Sequence, residues 1–234
     1  MKVSIHQPNY LPYIGYFQKM GLSDVFVILD NVQFSKDSYT QRTKIRTPDN
    51  WMWLTIPIEK NHTFKSIKDV PLPTDRKWLR KHKNSIISNY SKCPFFDEGF
   101  VEEYFTKGEQ FKKLQEWNEF GIFYLKDKLK IKTNIVKASD LNLNENLKST
   151  DLLVEIVNQV GGDTYISGAG GRKYMDISKF EKNEISLEYF DFEPFEYKQR
   201  WDGFEPYLSA MDLVFNFGDK STITKSKRID ELKR

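Results

Sequence analysis

The sequence predicts an α/β fold: a Rossmann-like, mostly parallel sheet with flanking helices, forming a single domain over residues 1–234 with a helical insertion at about residues 76–131. Three observations lead to this prediction. Short apolar runs of strand length alternate with segments of helical periodicity. The run DVFVIL at residues 24–29 is almost wholly apolar, as expected of a strand that is covered on both faces. No internal repeat or low-complexity linker divides the chain.

The start of the chain predicts a compact strand–helix–strand unit. Residues 3–6 form a strand that ends before Pro8, and apolar side chains recur with helical spacing over residues 14–20. Residues 24–29 form the next strand, and a right-handed crossover makes the two strands parallel. Further strands are predicted at residues 51–58, 66–72, 134–138, 164–166 and 185–190. Further helices are predicted at residues 76–90, at 109–131 with a break or bend near Gly121, at 152–160 after a cap at 149–151, and at 207–217.

Composition excludes several classes of protein. The chain has 36 Lys and Arg against 33 Asp and Glu, a balance that by itself does not indicate nucleic-acid binding. Aromatic residues make up 15%, which indicates a thick core, a stacking surface for a ring-shaped ligand, or both. One cysteine, Cys93, excludes an intramolecular disulfide, and three histidines without ligand spacing argue against a zinc site.

The ends of the chain lead to two expectations. The first residues lack the apolar run of a signal peptide, and no stretch reaches the roughly 20 apolar residues of a membrane span. We therefore expect a cytoplasmic protein that does not span a membrane. The basic residues from Lys225 to Arg234 predict a solvated helix or a frayed end.

The first candidate site follows the first predicted strand. Ligands of open α/β sheets bind beyond the carboxyl ends of the strands, where His6, Gln7 and Asn9 stand. The His6 imidazole titrates near neutral pH and is a candidate general base. The alternative is an ordinary turn in which His6 only bonds to its own loop.

A second candidate site follows the buried strand at residues 24–29. If the two strands are parallel, Asp30 emerges beside His6 and orients a hydroxyl or an ammonium group, while Gln33 contacts a polar ring substituent. A structural role for Asp30, capping the following turn, explains its position equally well.

Two basic segments are candidates for binding an anion. A strand runs into a glycine-rich turn with Ser167, Gly168 and Gly170, then into a predicted helix that carries Arg172, which suits a phosphate or carboxylate. The alternative is a flexible strand-to-helix turn.

Arg42, Lys44 and Arg46 would share one face of an extended segment. They could attract the pyrophosphate of a nucleotide sugar or a transfer RNA, although a solvated face is the simpler interpretation. Residues 197–199 and 204–209 are candidates for ring-stacking walls, or for core packing.

Several segments together resemble the WbqC-like family, whose members occur with O-antigen and other surface-polysaccharide genes. The matching segments are HQPNYLPYIGYF (6–17), DVFVILDNVQFSKDSYTQR (24–42), WLTIPI (53–58), YISGAGGRKYM (165–175) and FEPYLSAMDLVFNFG (204–218). Their order and spacing cover nearly the full chain. The run at residues 40–43 departs from the Asn-Arg-Asn-like run expected of the family.

The resemblance implies an acyltransferase of lipopolysaccharide and O-antigen biosynthesis. Such an enzyme attaches an amino acid, with glycine as the first candidate, to the amino group of a nucleotide-linked amino sugar. The motif match carries these site positions onto this chain: His6, Gln7, Asn9, Asp30, Gln33, Arg42, Ser167 and Gly168. In this interpretation His6 is the base, Asp30 orients it or the amine, and the glycine-rich turn holds phosphate or stabilises an oxyanion.

The acyl donor and the reaction class stay open at this stage. The donor is an aminoacyl-transfer RNA, a thioester on a carrier, or an acyl group activated in place by ATP. The last alternative is an amide ligase with an adenylate-forming, nucleotidyltransferase-like layout, although Gly15-Tyr16 stands where that layout needs a Gly-His pair. A non-catalytic protein that binds sugar nucleotides is a further alternative, and a glycosyltransferase lacks an obvious DxD motif.

Overall fold

Strands and helices alternate along the part of the chain that the computed structural model describes, residues 1–218. The elements in chain order are β1 (Lys2–His6), α1 (Ile14–Gly21), β2 (Val25–Ile28), β3 (Arg42–Arg46), β4 (Trp51–Thr55), α2 (Lys77–Tyr90), α3 (Glu98–Gly108), α4 (Leu114–Lys128), β5 (Asn134–Lys137), α5 (Ser149–Gln159), β6 (Thr164–Gly168), α6 (Ile177–Lys182), β7 (Ser186–Phe190) and α7 (Ala210–Phe217). The predicted basic tail from Lys225 onward lies outside the described residues.

Five strands form one sheet in the order β5-β2-β1-β6-β7, and every neighbouring pair is parallel. The predicted α/β fold with a mostly parallel sheet is therefore confirmed. The chain first winds outward from β1 through β2 to β5, then returns and winds the other way through β6 to β7. The direction reverses between β1 and β6, which makes this the switch point where the loops beyond the strands diverge and leave a crevice.

The two faces of the sheet belong to two hydrophobic clusters. Phe26 and Ile28 of β2 pack with residues of α1 and α4, whereas Val25 and Val27 pack with residues of α5 and α6. All four residues of β2 are buried, because successive side chains point to opposite faces and both faces are covered.

A long insertion separates β2 from β5. It begins with the antiparallel hairpin of β3 and β4, which forms its own two-stranded sheet, and continues with α2, α3 and α4. These helices occupy the span in which the sequence predicts a helical insertion. The indole of Trp117 in α4 is fully buried, and its ring contacts Tyr104, Trp78 and Phe105.

The strand predicted at residues 66–72 is wrong. This segment contains a 3₁₀ turn, Ile67–Asp69, and its backbone amides bond to loops rather than to a neighbouring strand. The amides of Ile67 and Lys68 donate to the carbonyls of Val32 and Asp30, both at 2.9 Å. A short apolar run predicts that a segment is buried, but the segment forms a β-strand only if a neighbouring strand pairs with its backbone.

The helix predicted at residues 109–131 differs from the observed helix in where it begins and in the break expected near Gly121. α4 begins at Leu114 and continues through Gly121 without a break, and α3 precedes it as a separate helix that the sequence analysis missed. Gly121 allows a close approach instead of a bend: a Cβ there would lie 3.0 Å from the Tyr104 hydroxyl. α5 also begins earlier than predicted, with Lys148 rather than residues 149–151 at the cap.

Two glycines of α3 provide a matched test of the packing between α3 and α4. A Cβ on Gly108 would lie 1.4 Å from Cζ3 of Trp117, whereas a Cβ on Gly99 would meet only ordinary contact at 3.5 Å. We expect Gly108→Ala to lower the free energy of unfolding by about 2–4 kcal/mol, because a buried indole has to move. Gly99→Ala should leave it within about 1 kcal/mol, on the stabilising side. Urea unfolding measures both; equal effects would contradict this account.

Candidate active site at the carboxyl edge of the sheet

The register of the strands brings the candidate residues to one edge. His6 pairs with Ile28, Ile28 pairs with Lys137, and Gly168 pairs with Phe190. Across the switch point the last pair is Ser4 with Ile166, and β1 and β6 each continue for two more residues, to His6 and Gly168. The first and third candidate segments therefore follow the carboxyl ends of two neighbouring strands.

The His6 side chain has a defined orientation. Its Nδ1 lies 3.1 Å from the carbonyl oxygen of Gln7, and because a carbonyl only accepts, Nδ1 carries the proton. The ring stands edge-on against Tyr16 of α1 with centroids 4.8 Å apart. The side chain is half-buried, and Nε2 is the nitrogen left with a lone pair.

Burial and a neighbouring lysine keep this imidazole neutral. Burial, followed by the charge of Lys19, lowers the pKa of His6 to about 3. Lys19 lies on α1 with 4% of its surface exposed, and its ammonium donates to the carbonyl of Ile5 at 2.9 Å. Burial lowers the pKa of Lys19 itself to about 7. At neutral pH the unliganded site therefore holds an uncharged imidazole that is a weak base.

Asp30 is fully buried and its hydrogen bonds go to the protein. Its carboxylate accepts from the amide and hydroxyl of Ser139, at 2.9 and 2.5 Å, and from Nε2 of Gln115 at 2.7 Å. These bonds tie the ends of β2 and β5 to α4. The carboxylate of Asp30 thus orients Ser139 and Gln115, and it bonds to the turn after β5 rather than to the turn that follows Asp30 itself.

Glu119 of α4 is a carboxyl group at this edge that the sequence analysis missed. The Nε2 of Gln115 donates to both Asp30 and Glu119, at 2.7 Å in each case. Burial raises the pKa of Glu119, and the charges of Asp30 and Asp140 add to this effect. The Tyr16 hydroxyl is buried without a hydrogen-bond partner among residues 1–218. Burial raises the pKa of Tyr16, and the charge of Glu119 adds to this effect. Nothing in the sequence distinguishes Glu119 from other helical glutamates.

The glycine-rich turn is open, but it does not begin a long helix. Residues Ala169–Lys173 form a single 3₁₀ turn, so the predicted helix carrying Arg172 is wrong. A Cβ on Gly168 or Gly170 would meet no atom within 4 Å, which leaves the backbone accessible to a ligand. The turn thus retains one of the two features that favour an anion.

Ser167 and Arg172 are placed less favourably than the sequence predicts. Ser167 follows Tyr165 by two residues, so it faces α5 and α6 while His6 faces α1, and its hydroxyl donates to the Gly168 carbonyl at 3.0 Å. Arg172 forms two hydrogen bonds with Asp191, at 2.5 and 2.8 Å. A phosphate at Arg172 would have to displace this pair.

The three amide side chains of the prediction lie in different environments. Gln7 accepts a 3.4 Å hydrogen bond from Thr40. Asn9 is 3% exposed, and its amide nitrogen finds no acceptor within the described part of the chain, which is uncommon for a buried donor. Gln33 is exposed and donates to the carbonyl of Thr63 at 3.2 Å.

The β3–β4 hairpin forms a basic and aromatic surface. Arg42 lies over the ring of Trp53 at 4.3 Å, and Lys44 over the ring of Trp51 at 4.0 Å. Arg46 does not join them, contrary to the prediction of a shared basic face. It is 2% exposed. Its guanidinium donates to the backbone carbonyls of Thr47 and Asn50 in the turn of the hairpin and to the carbonyl of Asp202, which is distant in the chain.

Three further features of residues 1–218 concern metal binding, membrane crossing and the thiol of Cys93. No group of three or more His, Cys, Asp and Glu residues there could hold a metal ion. No helix of this part of the chain has the length and apolar character needed to cross a bilayer. Cys93 is buried, and burial raises the pKa of its thiol to about 12, so it does not supply a thiolate at neutral pH.

Comparison with known proteins gives a family and a relative. A family model described as the WbqC-like protein family matches residues 7–224. The chain is also similar to the uncharacterized protein Rv1507c of Mycobacterium tuberculosis (strain ATCC 25618 / H37Rv), with 30% identity over 220 residues, or 93% of this chain and 94% of that protein. No solved structure matches significantly. The family match includes β2, β5, β6, β7 and the insertion, and it begins at the residue after His6.

The protonation of His6 can be tested by nuclear magnetic resonance. We expect a neutral ring with the proton on Nδ1 from pH 8 down to pH 5, since its pKa is about 3. Because this lies below the ordinary value of 6.5, the folded protein loses stability as the pH falls from 6.5 toward 3.

A lysine variant measures how much the charge of Lys19 adds to the effect of burial on the pKa of His6. Lys19→Met removes a positive charge beside the ring, so the pKa of His6 should rise. Lys2→Met is the matched control, because Lys2 lies at the other end of β1 and pairs with Glu188. A His6 pKa that is unchanged in Lys19→Met, or raised equally in both variants, contradicts this account.

Proposed function

Because this chain belongs to the WbqC-like protein family, we propose that it is an enzyme that transfers an amino acid or similar acyl group to the amino group of a nucleotide-linked amino sugar. The observation that carries the proposal is the position of His6. His6 ends β1 at the switch point with Nδ1 bonded and the lone pair on Nε2, and the neighbouring strand β6 ends at Gly168, whose backbone is open.

The proposed reaction uses these two features together. The phosphates of the sugar nucleotide lie against the open glycine turn, and the sugar amine attacks the carbonyl carbon of the acyl donor. A C–N bond forms, and the ester or thioester bond to the donor breaks. His6 Nε2 accepts the proton from the amine and passes it to the leaving group. A phosphate charge near the ring raises the pKa of His6, so substrate binding strengthens a base that is weak in the unliganded site.

A conservative variant tests the role of His6. His6→Gln keeps a polar side chain of similar length but removes the titrating base. We expect kcat/KM to fall about 10²–10⁴-fold, with the product detected by mass spectrometry as an added acyl group on the sugar nucleotide. His62→Gln is the control, since His62 lies on the 3₁₀ turn Lys60–His62 outside the sheet. Retention of the full rate by His6→Gln would remove the imidazole from the mechanism.

Glu119→Gln belongs in the same assay, because the raised pKa of Glu119 makes it the other base candidate at this edge. A loss of rate in Glu119→Gln with full activity in His6→Gln would transfer the role of base to the carboxyl group.

Two observations favour a second candidate function, a non-catalytic protein that binds sugar nucleotides. The low pKa of His6 and the fully bonded Asp30 suit a site that recognises a ligand without taking a proton from it. Binding of a sugar nucleotide that His6→Gln leaves unchanged, together with no product from any donor, would favour this function.

The hairpin surface leads to a prediction about the donor. Interleaved cations and indole rings are a surface that binds unpaired nucleotides, so we expect a charged transfer RNA to serve as the acyl donor rather than acyl activation by ATP. Combining Arg42→Gln with Lys44→Gln should raise KM for the charged transfer RNA about tenfold and leave KM for the sugar unchanged. Lys2→Gln, on a distant lysine of β1, is the control. Amino-acid-dependent exchange of pyrophosphate into ATP would instead support activation in place.

A further inference from the structure

A small aromatic pocket lies beside the start of α1. Its walls are the rings of Phe192, Phe195, Tyr197, Phe204 and Tyr207, and one acidic residue, Glu205, lines it as well. The pocket adjoins the carboxyl edge of the sheet, because Phe192 follows β7 directly and α1 follows the His6 loop. A Cβ added to Gly15 would lie 2.6 Å from the Phe192 ring, so ring and helix are in close contact.

Hydrogen bonds hold two of the pocket residues in place. The Tyr197 hydroxyl donates to the carboxylate of Asp212 at 2.7 Å. Gln199, which is 4% exposed, donates to the Glu205 carbonyl at 2.9 Å and accepts from the Glu205 amide at 3.0 Å. The backbone of Glu205 is thus fixed on both sides, although it lies outside any helix or strand.

Tyr207 occupies an unfavourable backbone conformation. Its φ of +59° lies in the left-handed region, which is strained for a bulky residue. In this conformation the ring packs against Phe192, with centroids 5.6 Å apart, and against Tyr13 at 6.2 Å. The packing of the aromatic cluster therefore maintains the wall at the expense of local strain.

The pocket combines negative potential with an unpaired carboxylate. The faces of aromatic rings carry partial negative charge and attract cations. No residue among positions 1–218 forms an ion pair or a side-chain hydrogen bond with the Glu205 carboxylate. Asp191, the acidic residue just before Phe192, is by contrast paired with Arg172. Aromatic residues and Glu205 line the same concavity, a composition that suits an organic cation.

The size of the pocket restricts the cation. The hollow has room for about one water molecule, so an ammonium nitrogen fits inside it, while the carbon attached to that nitrogen stays at the mouth and a sugar ring or a nucleobase does not enter. An aliphatic ammonium is therefore the class of ligand that both shape and charge select.

We propose that this pocket binds the α-ammonium group of the acyl donor, so that the group transferred is an aminoacyl group with a free amino terminus. This inference rests on the proposed function and names its donor class. The ammonium group takes no part in bond making: the sugar amine attacks the aminoacyl carbonyl carbon, the ester bond to the donor breaks, and the pocket positions the donor. Glu205 is thus a binding residue that selects aminoacyl over simple acyl donors.

Direct binding of a minimal probe tests the pocket without requiring turnover. Glycinamide carries the ammonium group, and acetamide has the same amide skeleton without it. Titration by ligand-observed nuclear magnetic resonance should give saturable binding of glycinamide, with acetamide at least about tenfold weaker. Glu205→Gln should weaken glycinamide at least about tenfold, and Phe204→Leu should weaken it by a smaller factor. Glu193→Gln is the matched control, an exposed acid of the same loop that does not line the pocket.

The outcomes separate this inference from the proposed function. Equal binding of glycinamide and acetamide, no saturable binding of glycinamide, or unchanged affinity in a folded Glu205→Gln variant would overturn the pocket assignment. Glycinamide binding that needs Glu205, in a protein that transfers nothing to any amino sugar, would support the pocket and reject the enzyme. Transfer in which Glu205→Gln leaves KM for the aminoacyl donor unchanged would support the enzyme and reject the pocket.

Discussion

The reversal of strand order between β1 and β6 is the constraint on which the candidate site depends. Because all neighbouring strands of the sheet are parallel and in register, their carboxyl ends lie in one row. The connections leave that row in opposite directions on either side of the switch point. His6 and Gly168 end the two strands that flank this switch point.

Buried polar groups around the carboxyl edge of the sheet maintain its shape. Asp30 links the ends of β2 and β5 to α4 through hydrogen bonds with Ser139 and Gln115. The side-chain amide of Gln115 also donates to Glu119. On the other side of His6, Lys19 is buried against β1, and burial of the imidazole together with the charge of Lys19 keeps His6 uncharged. Buried charged groups of this kind are tolerated because each one has hydrogen bonds to the protein.

The aromatic excess of the composition has more than one role in the structure. The rings of α2, α3 and α4 pack around Trp117 as core, which is the simpler of the two interpretations that composition allows. A separate chain of ring contacts runs from Trp53 through Tyr39 and Tyr13 to Tyr207, and so links the basic hairpin to the Glu205 pocket. Both surfaces that are candidates for holding a donor thus meet at the loop after β1.

The sequence by itself determined the parallel α/β fold, because the period and burial of runs such as residues 24–29 are local properties of the chain. It also identified the edge that carries His6 and Gly168. Only the tertiary structure decided which side chains are free there: Ser167 faces the other side of the sheet, Arg172 pairs with Asp191, and Arg46 is buried. Those outcomes depend on partners distant in the chain, and Glu119 reaches the edge for the same reason. A residue type signals the chemistry available to it, but the residue packed against it decides whether that chemistry is used.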